Sequence, residues 1–133
     1  MGQPEDSPSG FAEEIGVEWL SLDPDDARAR IAVEPRHLQP YGIVHGGVFA
    51  ALAESLTSAA TYAAVREEDM VAMGQANDTT FLRPIGDGHI NAVATPRHRG
   101  RTTWVWDVEF TDEGGRVCSI SRVTLAVRPA PQP

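Results

Sequence analysis

A run of twenty small and apolar residues dominates the pattern of the chain. Residues 46–65 read GGVFAALAESLTSAATYAAV. The larger apolar side chains and alanines recur along this run at the three- and four-residue spacing of one helical face: Phe49, Leu52, Leu56, Ala59 or Ala60, and Ala63. The other side carries alanine and serine instead of charges, so we expect a helix that is covered on both sides. One formal charge lies in the run, the carboxylate of Glu54.

Three other segments alternate apolar and polar residues with a period of two. They are ARARIAV at 27–33, TTWVWDVEF at 102–110 and VCSISRVTLAV at 117–127. Such alternation predicts half-buried antiparallel strands. We expect hairpin turns at GDG (86–88) and at DEGG (112–115). The predicted order is therefore strand, strand, one long helix, then strands to the end. This is an α+β chain with an antiparallel sheet wrapped around one central helix.

The two ends of the chain differ from this pattern. Residues 1–10 and 129–133 are polar, rich in proline and without periodicity, so we expect disordered tails there. With 133 residues and 41% hydrophobic content, the chain is long enough for one core and too short for two. The sequence therefore predicts a single domain over 11–128.

Charge and cysteine content exclude several classes of protein. A net charge of -8 argues against a general surface for nucleic acid or anionic membrane. The helix at 46–65 is long enough to span a bilayer, but Glu54 at mid-membrane would cost roughly 2.5 kcal/mol or more. One cysteine, Cys118, cannot form an internal disulfide, and the N-terminus lacks the pattern of a signal peptide. We therefore expect a cytoplasmic protein that binds neither membrane nor nucleic acid.

Several short motifs occur together in a characteristic order. They are HGG at 45–47, ALAES around Glu54, GQAN at 74–77, T-F-x-R-P at 80–84, TTWVWDV at 102–108, and GGRVCSxS followed by AVRP. At these spacings the chain resembles the hotdog-fold acyl-CoA thioesterases over about residues 36–128. It is similar to the 4-hydroxybenzoyl-CoA thioesterases with a glutamate in the helix. It is also similar to the 1,4-dihydroxy-2-naphthoyl-CoA thioesterases, which share the Q-P-[FY]-G-x-x-HGG and LAES pattern.

This resemblance implies a fold, a reaction and an assembly. The fold is the hotdog fold, and the reaction is hydrolysis of an aromatic acyl-CoA to the free acid and coenzyme A. The assembly is a homo-oligomer that needs a dimer to build its site, as a tetramer made of two dimers. No cofactor is implied. The four histidines lack the HxH and HExxH spacings of metal sites, and no G-x-S-x-G motif of an α/β-hydrolase is present.

The residues of the helix suit acyl transfer on chemical grounds alone. Attack on a thioester creates an oxyanion, which the unpaired N–H groups at a helix start can stabilise, and Gly46 and Gly47 fit that role. A carboxylate among alanines would be poorly solvated and hence more reactive, so Glu54 fits the role of nucleophile or general base. Ser58, four residues on, could hold a water or the carboxylate. A tight start to a crowded helix and a solvated surface glutamate are the plainer alternatives.

The resemblance also implies roles outside the helix. Gln39 has a polar role beside the thioester. We assign His45 to the same carbonyl end, with a structural role as the alternative. Tyr41 flanks the motif segments and could line an aryl pocket or fill core. Contacts to the nucleotide come from the arginine of the R-P pair and from the segment before TTW: Arg83, Arg101, Thr102 and Thr103. Arg101 departs from the smaller hydroxyl residue expected there.

A basic cluster, PRHRGR at 96–101, precedes that segment in an otherwise acidic chain. Arginine forks suit phosphate oxygens, so Arg97, Arg99 and Arg101 are candidates for holding coenzyme A, with a solvated hairpin as the alternative. Nearby, Trp104 and Trp106 share one face of a strand, and we expect them in the core rather than in an aryl pocket.

Helix geometry predicts that the site is shared. Gly46 and Glu54 are eight residues apart, roughly 12 Å along a helix. Both cannot easily reach one thioester carbon, where attack and oxyanion stabilisation each need contacts near 3 Å. An antiparallel partner helix could bring its own Glu54 opposite Gly46.

A hotdog hydratase and a non-catalytic acyl-CoA sensor are the competing functions.

Overall fold

Six antiparallel strands form one sheet that wraps around a long helix. The computed structural model describes residues 10–132, so most of the tail predicted at 1–10 lies outside the described residues. The helices are α1 (Phe11–Glu14) and α2 (Gly46–Val65), and the strands are β1 (Val17–Asp23), β2 (Asp26–Ala32), β3 (Met70–Phe81), β4 (His89–Arg99), β5 (Thr103–Thr111) and β6 (Val117–Pro129). Two short 3-10 turns, Pro35–His37 and Arg66–Glu68, flank α2. The sheet order is β1-β2-β4-β5-β6-β3. The predicted α+β class, with the sheet around one central helix, is confirmed.

Helix α2 has the bounds that the sequence predicts, 46–65. Its sheet-facing side packs into the core, where Phe49 meets Phe110 edge-on with ring centroids 5.4 Å apart. Two threonines on this side use their hydroxyls internally. Thr57 donates to the Ala53 carbonyl at 2.8 Å, and Thr61 accepts the indole N–H of Trp106 at 2.9 Å. These two threonines are thus accommodated in the core because each hydroxyl has a partner.

The alternating segments are strands, as predicted. Along β5, Trp104, Trp106, Val108 and Phe110 are buried, whereas the residues between them are more exposed. Both tryptophans therefore lie in the core, which confirms that prediction. The short helix α1 is missed, because four residues give too little periodicity to read.

One of the two predicted hairpins is wrong. DEGG does join β5 to β6, which pair directly. GDG at 86–88 joins no hairpin, because β3 pairs with β6 alone whereas β4 lies between β2 and β5. The chain instead leaves the β3 edge and crosses to the middle of the sheet. At the start of this crossing, the backbone N–H groups of Leu82 and Arg83 both donate hydrogen bonds to the Cys118 carbonyl.

The C-terminal end of the sheet extends past the predicted strand. Pro129 is the last residue of β6 and lies opposite Met70, and the Ala130 N–H donates to the Asp69 carbonyl at 2.7 Å. The prediction of a disordered tail from 129 is therefore wrong for Pro129 and Ala130. The helical segment 46–68 is long and apolar enough to cross a membrane. Half of its apolar stretch is buried in this fold, where α2 is the core helix.

Candidate active site

A buried histidine fixes the segment that leads into α2. The Glu34 N–H donates to His37 Nδ1 at 2.9 Å, so Nε2 carries the ring proton and donates to the Ile15 carbonyl at 2.8 Å. The His37 carbonyl in turn accepts the His45 N–H at 2.9 Å. His45 is the residue before the first turn of α2, and its own side chain is exposed. The start of the helix is therefore anchored while the His45 ring is left accessible.

Gln39 and Tyr41 lie in a tight loop before the helix. The Gln39 N–H donates to the Ile43 carbonyl at 2.7 Å, and its carbonyl accepts the Gly42 N–H at 2.9 Å. Gly42 has a φ of 81°, a conformation that favours glycine. Gln39 is half-buried, whereas Tyr41 is 85% exposed and so forms no pocket wall within one chain.

The start of α2 lies against the end of the edge strand β3. A Cβ added to Gly46 would come within 2.5 Å of the Phe81 ring, whereas one added to Gly47 would meet nothing within 4 Å. Only a glycine at position 46 lets this ring approach the helix start. Phe81 also contacts Phe49, with centroids 6.1 Å apart, but remains 57% exposed. An aromatic surface therefore borders the N–H groups that the sequence assigns to an oxyanion.

Glu54 lies two turns further along the same side of α2. Its carboxylate rests on Gly74 of β3, and the side chain is exposed. The expectation that alanines withdraw Glu54 from water is therefore wrong for one chain, because the described residues place no second layer over this side of the helix. Ser58, one turn further on, is half-buried. The helix thus places Gly46 and Glu54 along β3 without bringing them to one point.

The predicted nucleotide contacts lie at opposite ends of β6. The Arg83 N–H bonds to the Cys118 carbonyl, and the Thr102 carbonyl accepts the N–H of Val127. Nine residues of strand separate these two anchor points, about 30 Å at 3.3 Å per residue. Arg101 and Thr103 are the sequence neighbours of Thr102 and lie at its end. One chain therefore cannot close Arg83 and Thr102 around a single phosphate.

Two arginines of the basic cluster already have partners in the fold. Arg97 pairs with Asp107 at 3.3 Å. Arg99 pairs with Asp25 and lies over the Trp104 ring, 5.5 Å from its centroid. Both guanidinium groups are exposed, and exposed ion pairs are weak, so their role as phosphate ligands stays a prediction. Within residues 10–132, no ion pair is formed by Arg83 or Arg101.

Two residues at this site are not assigned a role from the sequence. Gly74 underlies the Glu54 carboxylate, and the Asn77 amide donates to the Ala50 carbonyl of α2 at 2.9 Å. Both belong to the GQAN motif, which contributes to the family resemblance without a stated function. The position of that motif beside Glu54 becomes apparent only when β3 is placed along the helix.

The fold and the helix-borne glutamate define the class of the protein. A sheet wrapped around one central helix, with glycines at the helix start and a glutamate two turns on, is the hotdog arrangement expected from the resemblance. The family model described as the thioesterase superfamily matches residues 41–119, more than half of the chain. The chain belongs to this family and is a thioester hydrolase.

Individual relatives cover almost the whole chain. The proofreading thioesterase EntH of Cronobacter turicensis is 37% identical, over 88% of this chain and 85% of its own. The Mycobacterium tuberculosis protein Rv1847 is 40% identical, over 86% of this chain and 84% of its own. Its solved structure superimposes with a TM-score of 0.87, covering 92% of this chain and 98% of that one. A variant of thioesterase PA1618 from Pseudomonas aeruginosa gives a TM-score of 0.85 at 34% identity, covering 90% of this chain and 86% of that one.

Proposed function

We propose that this thioesterase hydrolyses an aromatic acyl-CoA of the 4-hydroxybenzoyl-CoA kind, with Glu54 as nucleophile or general base. The observation that carries the proposal is the alignment of the Gly46 helix start and the Glu54 carboxylate along the open edge of β3. 1,4-Dihydroxy-2-naphthoyl-CoA is the alternative substrate. A cytoplasmic location is proposed with it, because the single cysteine cannot form an internal disulfide and suits a reducing compartment.

The proposed reaction uses the groups in fixed order. Glu54, or a water that it deprotonates, attacks the thioester carbon, and the carbonyl becomes an oxyanion held by the Gly46 N–H. The oxyanion collapses, the carbon–sulfur bond breaks, and the thiolate of coenzyme A leaves and takes up a proton. Gln39 and His45 orient the carbonyl, and Ser58 holds the water or the carboxylate. If Glu54 attacks directly, water then hydrolyses the anhydride.

The open side of α2 supports a site made by two chains. β3 has a hydrogen-bonded neighbour on one side alone among the described strands, and α2 faces this edge with small residues. An antiparallel second chain placed along the edge would bring its Glu54 towards the first chain's Gly46. The same operation would bring Arg83 of one chain towards the segment 101–103 of the other. We propose a dimer as the catalytic unit and a tetramer of two such dimers.

The aromatic preference is supported by the surface next to Gly46. Phe81 exposes more than half of its ring there, and Gly47 beside it has open space. Tyr41, on the neighbouring loop, could add a second aromatic wall in the assembled site. A rigid aromatic wall favours a flat acyl group over a flexible chain. The relatives are named as thioesterases and esterases without an acyl group.

A panel of thioesters tests this preference, with released coenzyme A as the readout. We expect 4-hydroxybenzoyl-CoA or 1,4-dihydroxy-2-naphthoyl-CoA to exceed hexanoyl-CoA in kcat/KM. Equal or higher values for hexanoyl-CoA would remove the aromatic proposal. Binding of all three without turnover would favour the non-catalytic sensor instead.

Complementation tests the shared site. Glu54→Ala and Gln39→Ala proteins, each weak or inactive, are refolded together so that mixed dimers form. One of the two sites in a mixed dimer then regains wild-type residues, and activity should return to that fraction of sites. If mass spectrometry shows mixed dimers whose activity stays at the level of the separate variants, each chain builds its own site.

A further inference from the structure

The edge strand β3 carries a glycine where its backbone does not require one. Gly74 lies within the strand, where glycine costs stability because it loses more conformational freedom than other residues. Its φ is not among the positive values of the chain, so other residues could adopt this backbone conformation. Space is the constraint. A Cβ at this position would lie 3.0 Å from the Cδ of Glu54 and 3.2 Å from both carboxylate oxygens.

A hydrogen-bond chain from the sheet reaches the helix turn that precedes Glu54. The Asn77 amide N–H donates to the Ala50 carbonyl at 2.9 Å. In an α-helix that same carbonyl accepts the backbone N–H of residue 54, four positions on. The Ala50 carbonyl therefore accepts two hydrogen bonds, one from the Asn77 amide and one from the backbone N–H of Glu54.

The orientation of the Asn77 amide is itself fixed by neighbours. The Thr79 hydroxyl donates to Asn77 Oδ1 at 2.7 Å. That uses its one proton, so in the 2.7 Å contact between Thr79 and Ser121 the serine is the donor. Ser121 is buried on β6. The chain thus runs in one direction, from β6 through β3 to the carbonyl on α2.

A bulge in β3 brings both residues to the helix. Side chains three apart on a regular strand point to opposite faces of the sheet. The pairing of β3 with β6 shifts between Gly74 and Ala76, where Gln75 is an extra residue. This insertion turns Gly74 and Asn77 to the same side. One irregularity therefore creates both contacts with the Glu54 turn.

We propose that Gly74 and Asn77 are positioning residues for Glu54: the glycine leaves the space in which the carboxylate lies, and the asparagine fixes the helix turn that carries it. The inference rests on the proposed function, because positioning matters to catalysis only if Glu54 reacts or activates water. It assigns the bulge of β3 to the reaction rather than to stability.

The first test adds volume at position 74. Gly74→Ala and Gly74→Val should keep or raise Tm, because both residues suit a strand better than glycine. Their kcat should fall by about tenfold and about a hundredfold, because small displacements of a catalytic group carry losses of this order. KM should change little. Unchanged kcat in Gly74→Val with an intact fold would overturn the proposal, and Gly114→Ala in the β5–β6 hairpin controls for loss of a glycine.

The second test shortens the carboxylate. In a Glu54→Asp background the side chain no longer reaches position 74, so Gly74→Val should cost less than about threefold relative to Glu54→Asp alone. An equal loss in the two backgrounds would show that Gly74 acts on the fold and not through Glu54.

The third test removes the amide. Asn77→Leu keeps the size of the side chain but loses the bond to Ala50, and kcat should fall by about tenfold with little change in KM. Asn91→Leu is the matched control, since Asn91 also donates to a backbone carbonyl, that of Thr111, away from this site. Equal kcat values for these two variants would remove Asn77 from the proposal.

A crystal structure of Gly74→Ala separates this inference from the proposed function. Ordinary carbon contacts are about 3.5 Å or longer, so the Glu54 Cδ should move by about 0.5 Å from its wild-type position relative to β3. An unmoved carboxylate would overturn the positioning role whatever the activity. Near wild-type turnover by Glu54→Ala, in contrast, would refute the catalytic role of Glu54 and leave this structural result standing.

Discussion

The two long sides of α2 differ in what one chain can complete. The side towards the sheet is closed, and Leu52, Leu56 and Ala60 on it have no exposed surface. The side along β3 presents Gly46, Glu54 and small residues and stays partly exposed. Stability is therefore built on one side within a single chain, whereas the proposed catalytic residues lie on the side that we propose a second chain covers.

Polarity alone does not distinguish these sides. Thr57 and Thr61 are polar yet fully buried, because each hydroxyl has a partner in the core. Glu54 is polar and exposed, and its contact with β3 is a close packing against Gly74. The two sides differ in their neighbours. Large side chains and satisfied hydroxyls pack on the sheet side, whereas the β3 side has small residues and is partly open to solvent.

The largest expected effect separates activity from stability on the β3 side. Glu54→Ala should lower kcat by about a thousandfold or more, as loss of an activated nucleophile or base does. Tm should stay close to the wild type, because the side chain is exposed within one chain, and the variant should remain an oligomer. Steady-state kinetics and thermal unfolding measure the two quantities. Turnover near the wild-type rate would show that Glu54 has no catalytic role, and the β3 side of α2 would then not be the catalytic side.

The opposite result is expected on the sheet side. Leu56→Ala should lower the free energy of unfolding by about 2–5 kcal/mol through lost burial and a cavity. The kcat of the folded fraction should change little. Denaturant unfolding measures the loss, with the half-exposed Leu20 of β1 changed to alanine as the control. A Leu56 variant as stable as the Leu20 variant would contradict the assignment of stability to this side.

A smaller effect is expected at the polar pair in the core. Thr61→Val leaves the indole N–H of Trp106 buried without its acceptor, which costs about 1–3 kcal/mol. Unfolding in denaturant gives the value, and the half-buried Thr124→Val on β6 serves as the matched control. If the two valine variants are equally stable, the hydrogen bond to Trp106 contributes nothing to the closed side.

The smallest effect lies outside both sides of α2, in the β5–β6 hairpin. The pKa of the Asp112 carboxyl lies below its ordinary value, mainly because the backbone N–H of Arg116 donates to it, with the Arg116 side chain and the Gly114 N–H adding to the shift. Such a carboxyl stabilises the fold above its unfolded pKa, and this contribution is lost as pH falls through the lower folded pKa.

Asp112→Asn should therefore be slightly less stable than the wild type at neutral pH, with the gap closing in acid. Unfolding midpoints at a series of pH values measure it, and kcat should not change. A gap that widens in acid would contradict the direction of the shift.

The sequence predicts the helix and the regular strands because each has one buried side. Alternation marks β5, and a long apolar run with Glu54 as its one charge marks α2 over its full length. β3 gives no such signal, since it is an edge strand whose middle is exposed on both faces. The GDG turn is misread for a different reason, because a local turn signal does not show which strands are neighbours in the sheet.

The sequence names candidate residues for the site but not their arrangement. Gly46 and Glu54 both lie beside β3, and their spacing along α2 already predicts that one chain cannot close the site. The contacts of Gly74 and Asn77 depend on a bulge between β3 and β6, where the paired residues Gly74 and Leu125 are 51 positions apart in sequence. Arg97 and Arg99 are drawn to carboxylates that pattern alone does not place nearby.

The single cysteine of the chain has a practical consequence for measuring how two chains align. Cys118 is buried, and burial raises the pKa of its thiol, so it reacts slowly with labelling reagents. A new cysteine at the exposed Ala76 of β3 would then be labelled selectively with a nitroxide. The distance between two such spin labels would report the register of paired edge strands in solution without removal of any native residue near the carboxylate.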